Sequence, residues 1–490
     1  MPEATPPHTP PARIAALLFG LLLFSLAFQG ARGLWEPDEG RYTNVAVEMI
    51  ALDDWLVPHQ NHETEHWTKP PLTYWAIATS LEAFGRTELA ARLTSALSYF
   101  ATAVLLGLLG RIFLPRLPWL AAPLYAASVL PFVASNLVTT DTLLALWECL
   151  GVYAFARAAW HPACRRRAGW LMVMWAAFGL AFLTKGPPGL LPLLAIVGFS
   201  LSTPRLRRST GLKAWPGLVV LLAVALPWYI IVTLKNPGLL DYFINKEVVA
   251  RVASDDFRRH SEWYGAFKVY LPTLLVGLLP WTWWWLRAAG RGLNTWRHGG
   301  RQAFRALDEK QRFLLWWLLL PLAVFFLARS RLPLYVLPLA APLVLVTARE
   351  LLRNPGFPSR ATPWLLTAWM VALLALRAAS GWVHSPKDAR ATAEMLRAAG
   401  VNSCQEIAFY ETRPMLGLRF YLGCEIESID RDGLEQELAE PERRYWAVNH
   451  DSAPEFESRM RAARRGIGRV AEVPGRWLLY RENGHAADTP

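Results

Sequence analysis

Cysteine is scarce in this sequence, four in 490 residues. Cys149 falls inside an apolar run and Cys164 in a basic loop, settings that favour inert thiols over reactive ones. Cys404 and Cys424 fall beyond the last apolar run, where an oxidising compartment permits a disulfide, and the sequence leaves that pairing open. The same C-terminal segment has neither Gly-x-Gly-x-x-Gly nor Gly-x-x-x-x-Gly-Lys, so nucleotide binding has no support there. No internal repeat is visible, which counts against a transporter built from inverted repeats. Acid is nearly missing from every second loop. Basic clusters at Arg111 and Arg116, at 165–167, at 205–213, at 287–312 and at 349–360 contain only Asp308, Glu309 and Glu350. That segregation does not read as a nucleic-acid footprint; the positive-inside rule puts these loops in the cytoplasm.

Long apolar stretches are what the chain has in quantity. Residues 14–28, 89–109, 117–132, 139–155, 170–183, 190–201, 215–234, 267–286, 313–328, 332–346 and 364–376 each approach the roughly 20 residues that cross a bilayer core. They predict a polytopic α-helical membrane protein with about 11–13 transmembrane helices. The first run lacks a small-residue cleavage pattern and reads as a retained span. Four tryptophans, Trp281, Trp283, Trp284 and Trp285, read as an interfacial belt.

Residues 1–11 are proline-rich and expected to be disordered and cytoplasmic. The membrane domain is expected over 12–384, with external loops at 34–88 and 235–266. Within the first loop, 42–52 and 72–84 have the spacing of short amphipathic helices. From 385 onward the composition turns mixed and charged. Helices are expected at 389–399, 414–422 and 454–463, and strands at 406–410, 445–449, 468–473 and 477–480. Their alternation predicts a small extracytoplasmic α/β domain.

Charged residues return to the external ends of separate spans. Asp38, Glu39 and Arg41 follow the first; Lys69 precedes two prolines that stiffen its support. Asp141 opens one span, Lys185 closes another before Gly186-Pro187-Pro188, and Arg331 and Tyr335 flank Leu332-Pro333-Leu334. Singly, each has a bland account: loop acids, a snorkelling lysine, a helix cap, a flanking charge. Together, carboxylates and cations on one face suit a lipid-linked sugar phosphate, since Arg and Lys clamp phosphate while a carboxylate orients an acceptor or stabilises an oxocarbenium ion.

Pro37-Asp38-Glu39-Gly40-Arg41-Tyr42, Lys69-Pro70-Pro71-Leu72, Thr184-Lys185-Gly186-Pro187 and Ser330-Arg331-Leu332-Pro333-Leu334-Tyr335 resemble the motifs of polyprenyl-phosphate-dependent glycosyltransferases of the GT-C fold. Within these, the chain is similar to the lipid A 4-amino-4-deoxy-L-arabinose transferases and, more distantly, to protein O-mannosyltransferases. The resemblance implies catalytic roles for Asp38 and Asp141. It implies contact with the carrier phosphate or substrate for Arg41, Lys69, Lys185, Arg331, Tyr335 and one arginine of the second external loop, assigned to Arg258 ahead of Arg259 and Arg251. Relatives place Glu before Lys-Pro-Pro as a metal ligand with a His; Thr68 stands there, leaving His260 and Glu65 as candidate ligands for a divalent metal such as zinc.

The expected activity is inverting transfer of a sugar from undecaprenyl phosphate to lipid A or another envelope acceptor, at the periplasmic face of a bacterial inner membrane. A protein Ser/Thr acceptor, a lipid-sugar flippase and a non-enzymatic envelope scaffold are the competing readings.

Overall fold

In the computed structural model the chain is described over residues 10–160, 166–209, 214–249, 260, 262–412, 414–438, 444–473 and 475–483. It divides into two compact units. One comprises Met1–Gln29, Trp67–Ala76 and Arg92–Leu376; the other comprises Gly30–His66, Ile77–Ala91 and Arg377–Pro490. Of the loop expected over 34–88, residues 67–76 fall in the first unit and the rest in the unit that holds the C-terminal tail.

The first unit is helical. Among the described residues, seven helices are long and apolar enough to cross a membrane: Glu88–Phe113, Asp141–Trp160, Arg167–Lys185, Ala214–Lys235, Glu309–Leu327, Pro333–Leu351 and Thr362–Trp382. Three shorter apolar helices, Pro11–Leu26, Pro187–Ser202 and Gly265–Gly277, join them. Of the eleven residues expected to be disordered, nine lie outside the described residues, and Pro11 already opens the first helix. Two expected spans are corrected. Residues 117–132 do not form one helix but a 3-10 turn and two short helices, Ala121–Ala126 and Val129–Ala134. Pro118, Pro123 and Pro131 each remove a backbone donor there, and Ser128 is extended between the pieces. Residues 267–286 break after Gly277, and a separate helix begins at Thr282. The second external loop holds helical turns, Leu239–Asp241 and a π-helical Tyr242–Val249.

The core of this unit is built from small and aromatic side chains. The alanines at 154, 156 and 158 of the Asp141–Trp160 helix are fully buried and let neighbouring helices approach closely. Phe113, Phe155, Trp160, Phe199 and Phe313 meet with ring centroids 5.2–6.5 Å apart.

The second unit contains a five-stranded sheet: β1 (Ile407–Tyr410), β2 (Glu427–Ile429), β3 (Tyr445–Asn449), β4 (Gly466–Val473) and β5 (Trp477–Asn483), in the order β2-β1-β3-β5-β4. The first three strands are parallel; β5 runs antiparallel to both β3 and β4. Side-chain alternation along β1 splits the core. Ile407 and Phe409 pack with Leu396 on the Ala389–Ala398 helix, while Ala408 and Tyr410 pack with Phe456 and Met460 on the Ala453–Ala462 helix. Cover on both faces is what parallel strands require, and each large apolar side chain buried this way contributes about 1.5–3 kcal/mol. The α/β expectation holds, although β2 and a short helix, Leu434–Glu437, were not foreseen and the helix expected at 414–422 is only Leu418–Leu422. Cys404 and Cys424 are bonded, with Cα atoms 5.7 Å apart; Cys149 is free and buried; Cys164 lies outside the described residues.

The tail grips the loop through hydrogen bonds. The backbone N–H of Ala389 donates to Leu34 O (2.9 Å), that of Glu36 to Lys387 O (2.9 Å), and the Leu34 N–H to Tyr421 Oη (2.8 Å). Arg419 pairs with the buried Glu48, and Arg390 with Glu88 (2.8 Å). The loop helix predicted at 42–52 is longer, Asp38–Ala51, and Leu72–Phe84 forms as expected.

Candidate active site

Lys185 ends the Arg167–Lys185 helix because the next residue, Gly186, has φ +75°, a conformation that turns the chain and favours glycine. Pro187 and Pro188 then start a 3-10 turn, so the lysine projects from a stiff corner. Its ammonium forms an ion pair with Asp141, the first residue of the Asp141–Trp160 helix, and both side chains are more than nine-tenths buried. The same ammonium lies 4.6 Å from the ring centroid of Tyr335, which sits on the 3-10 turn Pro333–Leu339. A cation over an aromatic face is favoured by the ring quadrupole.

Lys185 and Tyr335 line a cavity of about 600 Å³ together with Lys69. Lys69 precedes Pro70, which disfavours helical backbone at its own position; Pro71 O then accepts the Trp75 N–H as the Leu72–Phe84 helix begins. The Lys69 ammonium donates to Thr68 O at 2.7 Å. The remaining walls are largely apolar and aromatic: Trp67, Phe182, Tyr229 and Phe243 line the cavity, with Tyr229 and Phe243 centroids 5.1 Å apart. A carboxyl group that sequence reasoning passed over, Glu148, also lines it. Glu148 follows Asp141 by two helical turns, is 3% exposed, and makes no hydrogen bond or ion pair among the described residues. An acid inside an apolar run is costly in a membrane and was the available signal.

Other candidates are placed differently. Arg331 is buried but does not line the cavity. The two terminal nitrogens of its guanidinium donate to the carbonyls of His260 (2.6 Å), Glu262 (2.8 Å) and Phe326 (3.3 Å), while its buried Nε has no hydrogen-bond partner among the described residues. The His260 side chain is exposed, with its backbone at φ +56°. Arg258, Arg251 and Arg259 lie outside the described residues.

In the second unit, Asp38 starts the Asp38–Ala51 helix and pairs with Arg41 at 2.7 Å; both remain partly exposed. Its neighbour Glu39 is buried and structural, paired with Arg32 and accepting the Trp35 N–H (2.9 Å). Glu36 accepts the Gly417 N–H at 2.6 Å. A Cβ on Gly40 would collide with that carboxylate, which explains the glycine of the motif. Burial outweighs the hydrogen bond and pushes the Glu36 pKa up to about 7. Glu65 is exposed, bridged through its backbone to His59; His62 instead meets Glu425 at 2.6 Å, which raises its pKa. Among the described residues no three His, Cys, Asp or Glu side chains gather to hold a metal, and Thr68 offers only a weak hydroxyl ligand. No step below runs through a metal.

The family model described as Dolichyl-phosphate-mannose-protein mannosyltransferase matches residues 68–231, a stretch containing Lys69, Asp141 and Lys185. A crystal structure of ArnT from Cupriavidus metallidurans bound to undecaprenyl phosphate superposes with a TM-score of 0.75 over 96% of this chain and 98% of that one, at 20% identity. The chain has the GT-C fold. An oligosaccharyltransferase from Archaeoglobus fulgidus, solved with Zn and sulfate, has the same fold more distantly, with a TM-score of 0.53 at 13% identity, covering 95% of this chain and 73% of that one. An undecaprenyl phosphate-alpha-4-amino-4-deoxy-L-arabinose arabinosyl transferase of Edwardsiella ictaluri is 31% identical over 347 residues, 70% of this chain and 59% of its own length. A second of the same description, from Sodalis glossinidius, is 34% identical over 343 residues, 67% and 58% respectively. The chain thus spans about three fifths of the curated relatives it matches. It is a multi-pass membrane protein.

Proposed function

We propose that this protein transfers 4-amino-4-deoxy-L-arabinose, or a closely related sugar, from undecaprenyl phosphate to lipid A or another envelope acceptor at the periplasmic face of the bacterial inner membrane. The observation that carries the reading is the cavity: two lysines and a tyrosine line one site whose other walls, the Glu148 carboxyl and a few hydroxyls apart, are apolar, which matches an amphiphile with an anionic head and a polyprenyl tail. The acceptor oxygen would form a bond to the anomeric carbon as the bond from that carbon to the phosphate oxygen breaks. The electron pair leaves on undecaprenyl phosphate, and direct attack inverts the centre. Lys69 and Lys185 would stabilise the charge growing on the leaving phosphate. Asp141 holds Lys185 in place and, once that ammonium turns to the phosphate, is available to the sugar. Asp38 retains, from the motif resemblance, the role of orienting the acceptor. An acceptor phosphate is already anionic and needs no base, whereas a hydroxyl must lose its proton.

The family match over residues 68–231 favours a second reading, transfer to a protein hydroxyl from the same kind of donor. Mass spectrometry of lipid A from cells with and without the protein separates the two. The main reading expects a sugar-sized increment that requires the wild-type chain and is lost in Lys69→Ala. Lipid A of unchanged mass, with the increment on an envelope protein, overturns it in favour of the second.

A further inference from the structure

The Thr282–Ala306 helix plays no part in the cavity. Its 25 residues contain five arginines, Arg287, Arg291, Arg297, Arg301 and Arg305, with His298 and no acid, which makes it too polar to span a bilayer. The helix is kinked at Gly300, where φ is +49°; before the kink, at about 100° per residue, Leu286, Ala289, Leu293 and Trp296 share one face, and Arg287, Arg291, Asn294 and His298 share another. The protein does not cover the apolar face: Leu293 is 51% exposed and Trp296 52%. The helix is nevertheless anchored at its start. Arg287 and Arg291 reach the buried Glu350 carboxylate of the Ala340–Leu351 helix, while Arg297 and Arg305 make no ion pair among the described residues.

An open apolar stripe beside a basic arc that holds no acid is complementary to one surface, a leaflet whose headgroups are anionic. The basic loops around the helix put that leaflet on the cytoplasmic side. We propose that Thr282–Ala306 is a docking helix for anionic phospholipid, with Leu293 and Trp296 in the acyl boundary and Arg297 and Arg305 on lipid phosphates. It acts by tying the cytoplasmic side of the membrane unit to the surface, independently of the transfer reaction.

Hydrogen exchange at amides 289–306 of the full-length protein tests this in nanodiscs of phosphatidylcholine with and without phosphatidylglycerol. Protection should rise with phosphatidylglycerol by roughly fivefold per engaged arginine, and the rise should vanish at high salt and in Arg297→Gln/Arg305→Gln. The Ala214–Lys235 helix should show no such dependence. Should the double variant fail to fold, the salt titration of the wild-type chain decides alone. Equal protection in both lipids overturns the proposal, as does protection that follows protein concentration, which would assign the face to a second copy.

Discussion

Replacing Lys185 by alanine should have two separable effects. The ammonium and the Asp141 carboxylate are each more than nine-tenths buried, so removing one strands the other away from water, at a cost of about 3–5 kcal/mol in stability. The same ammonium is proposed to hold the carrier phosphate, where a charge-assisted hydrogen bond contributes about 1.5–3 kcal/mol, or roughly 10–150-fold in Kd. A single variant confounds these terms. The double variant Lys185→Met/Asp141→Leu does not: exchanging a buried pair for apolar volume is near neutral or stabilising. It should therefore unfold at or above the wild-type temperature and still bind undecaprenyl phosphate roughly 10–150-fold more weakly. Asp141→Asn alone should lose stability but bind the carrier more tightly, because Lys185 is no longer shared with a carboxylate. Thermal unfolding in detergent and a binding titration with undecaprenyl phosphate read both quantities. Wild-type affinity in the double variant would show that Lys185 serves only the ion pair, and the donor-binding argument would fall with it.

Glu148→Leu should raise the unfolding temperature, because it removes a buried carboxyl that makes no hydrogen bond or ion pair among the described residues; transfer should drop at least about tenfold, as expected when a costly group is retained for function. Unchanged transfer with raised stability would make Glu148 an incidental residue. Glu36 gives the second unit a pH dependence. Its folded pKa of about 7 lies above the ordinary 4.5, so the folded state binds the proton more tightly. The corresponding stability is fully present below pH 4.5, is lost as pH rises toward 7, and amounts to something on the order of 3 kcal/mol. Glu36→Gln keeps an acceptor for the Gly417 N–H and should flatten that slope between pH 5 and 7, measured by hydrogen exchange at 407–410; an unchanged slope would clear Glu36 of it.

Local signals carried the elements that the sequence reads well. Leu72–Phe84 follows two prolines and stops before Gly85, and β3 is five apolar-rich residues bounded by charge and a polar turn. Apolar content without attention to proline misled at 117–132, since a hydropathy average does not register three lost donors. Glu148 vanished into the same kind of average. β2 is a three-residue edge strand, too short for alternation to show. The pairing of loop and tail was illegible for a different reason: the Leu34 and Tyr421 partners lie 387 positions apart, and no local pattern reports such a contact.

Counting charges by membrane face does not separate a cation that lines the cavity from one that does not. Arg331 and Lys185 look equivalent in sequence, each a cation at a span end beside prolines. Arg331 donates from its two terminal nitrogens to three carbonyls, two of them 69 and 71 positions away, and does not line the cavity. Lys185 is ion-paired with Asp141 and lines a cavity together with Lys69, Tyr335 and Glu148. An ammonium held by a carboxylate can still donate to a phosphate that takes the carboxylate's place. On the proposed reading, the cation that serves the chemistry is the one whose present partner can be exchanged, and that property belongs to the fold rather than to the motif.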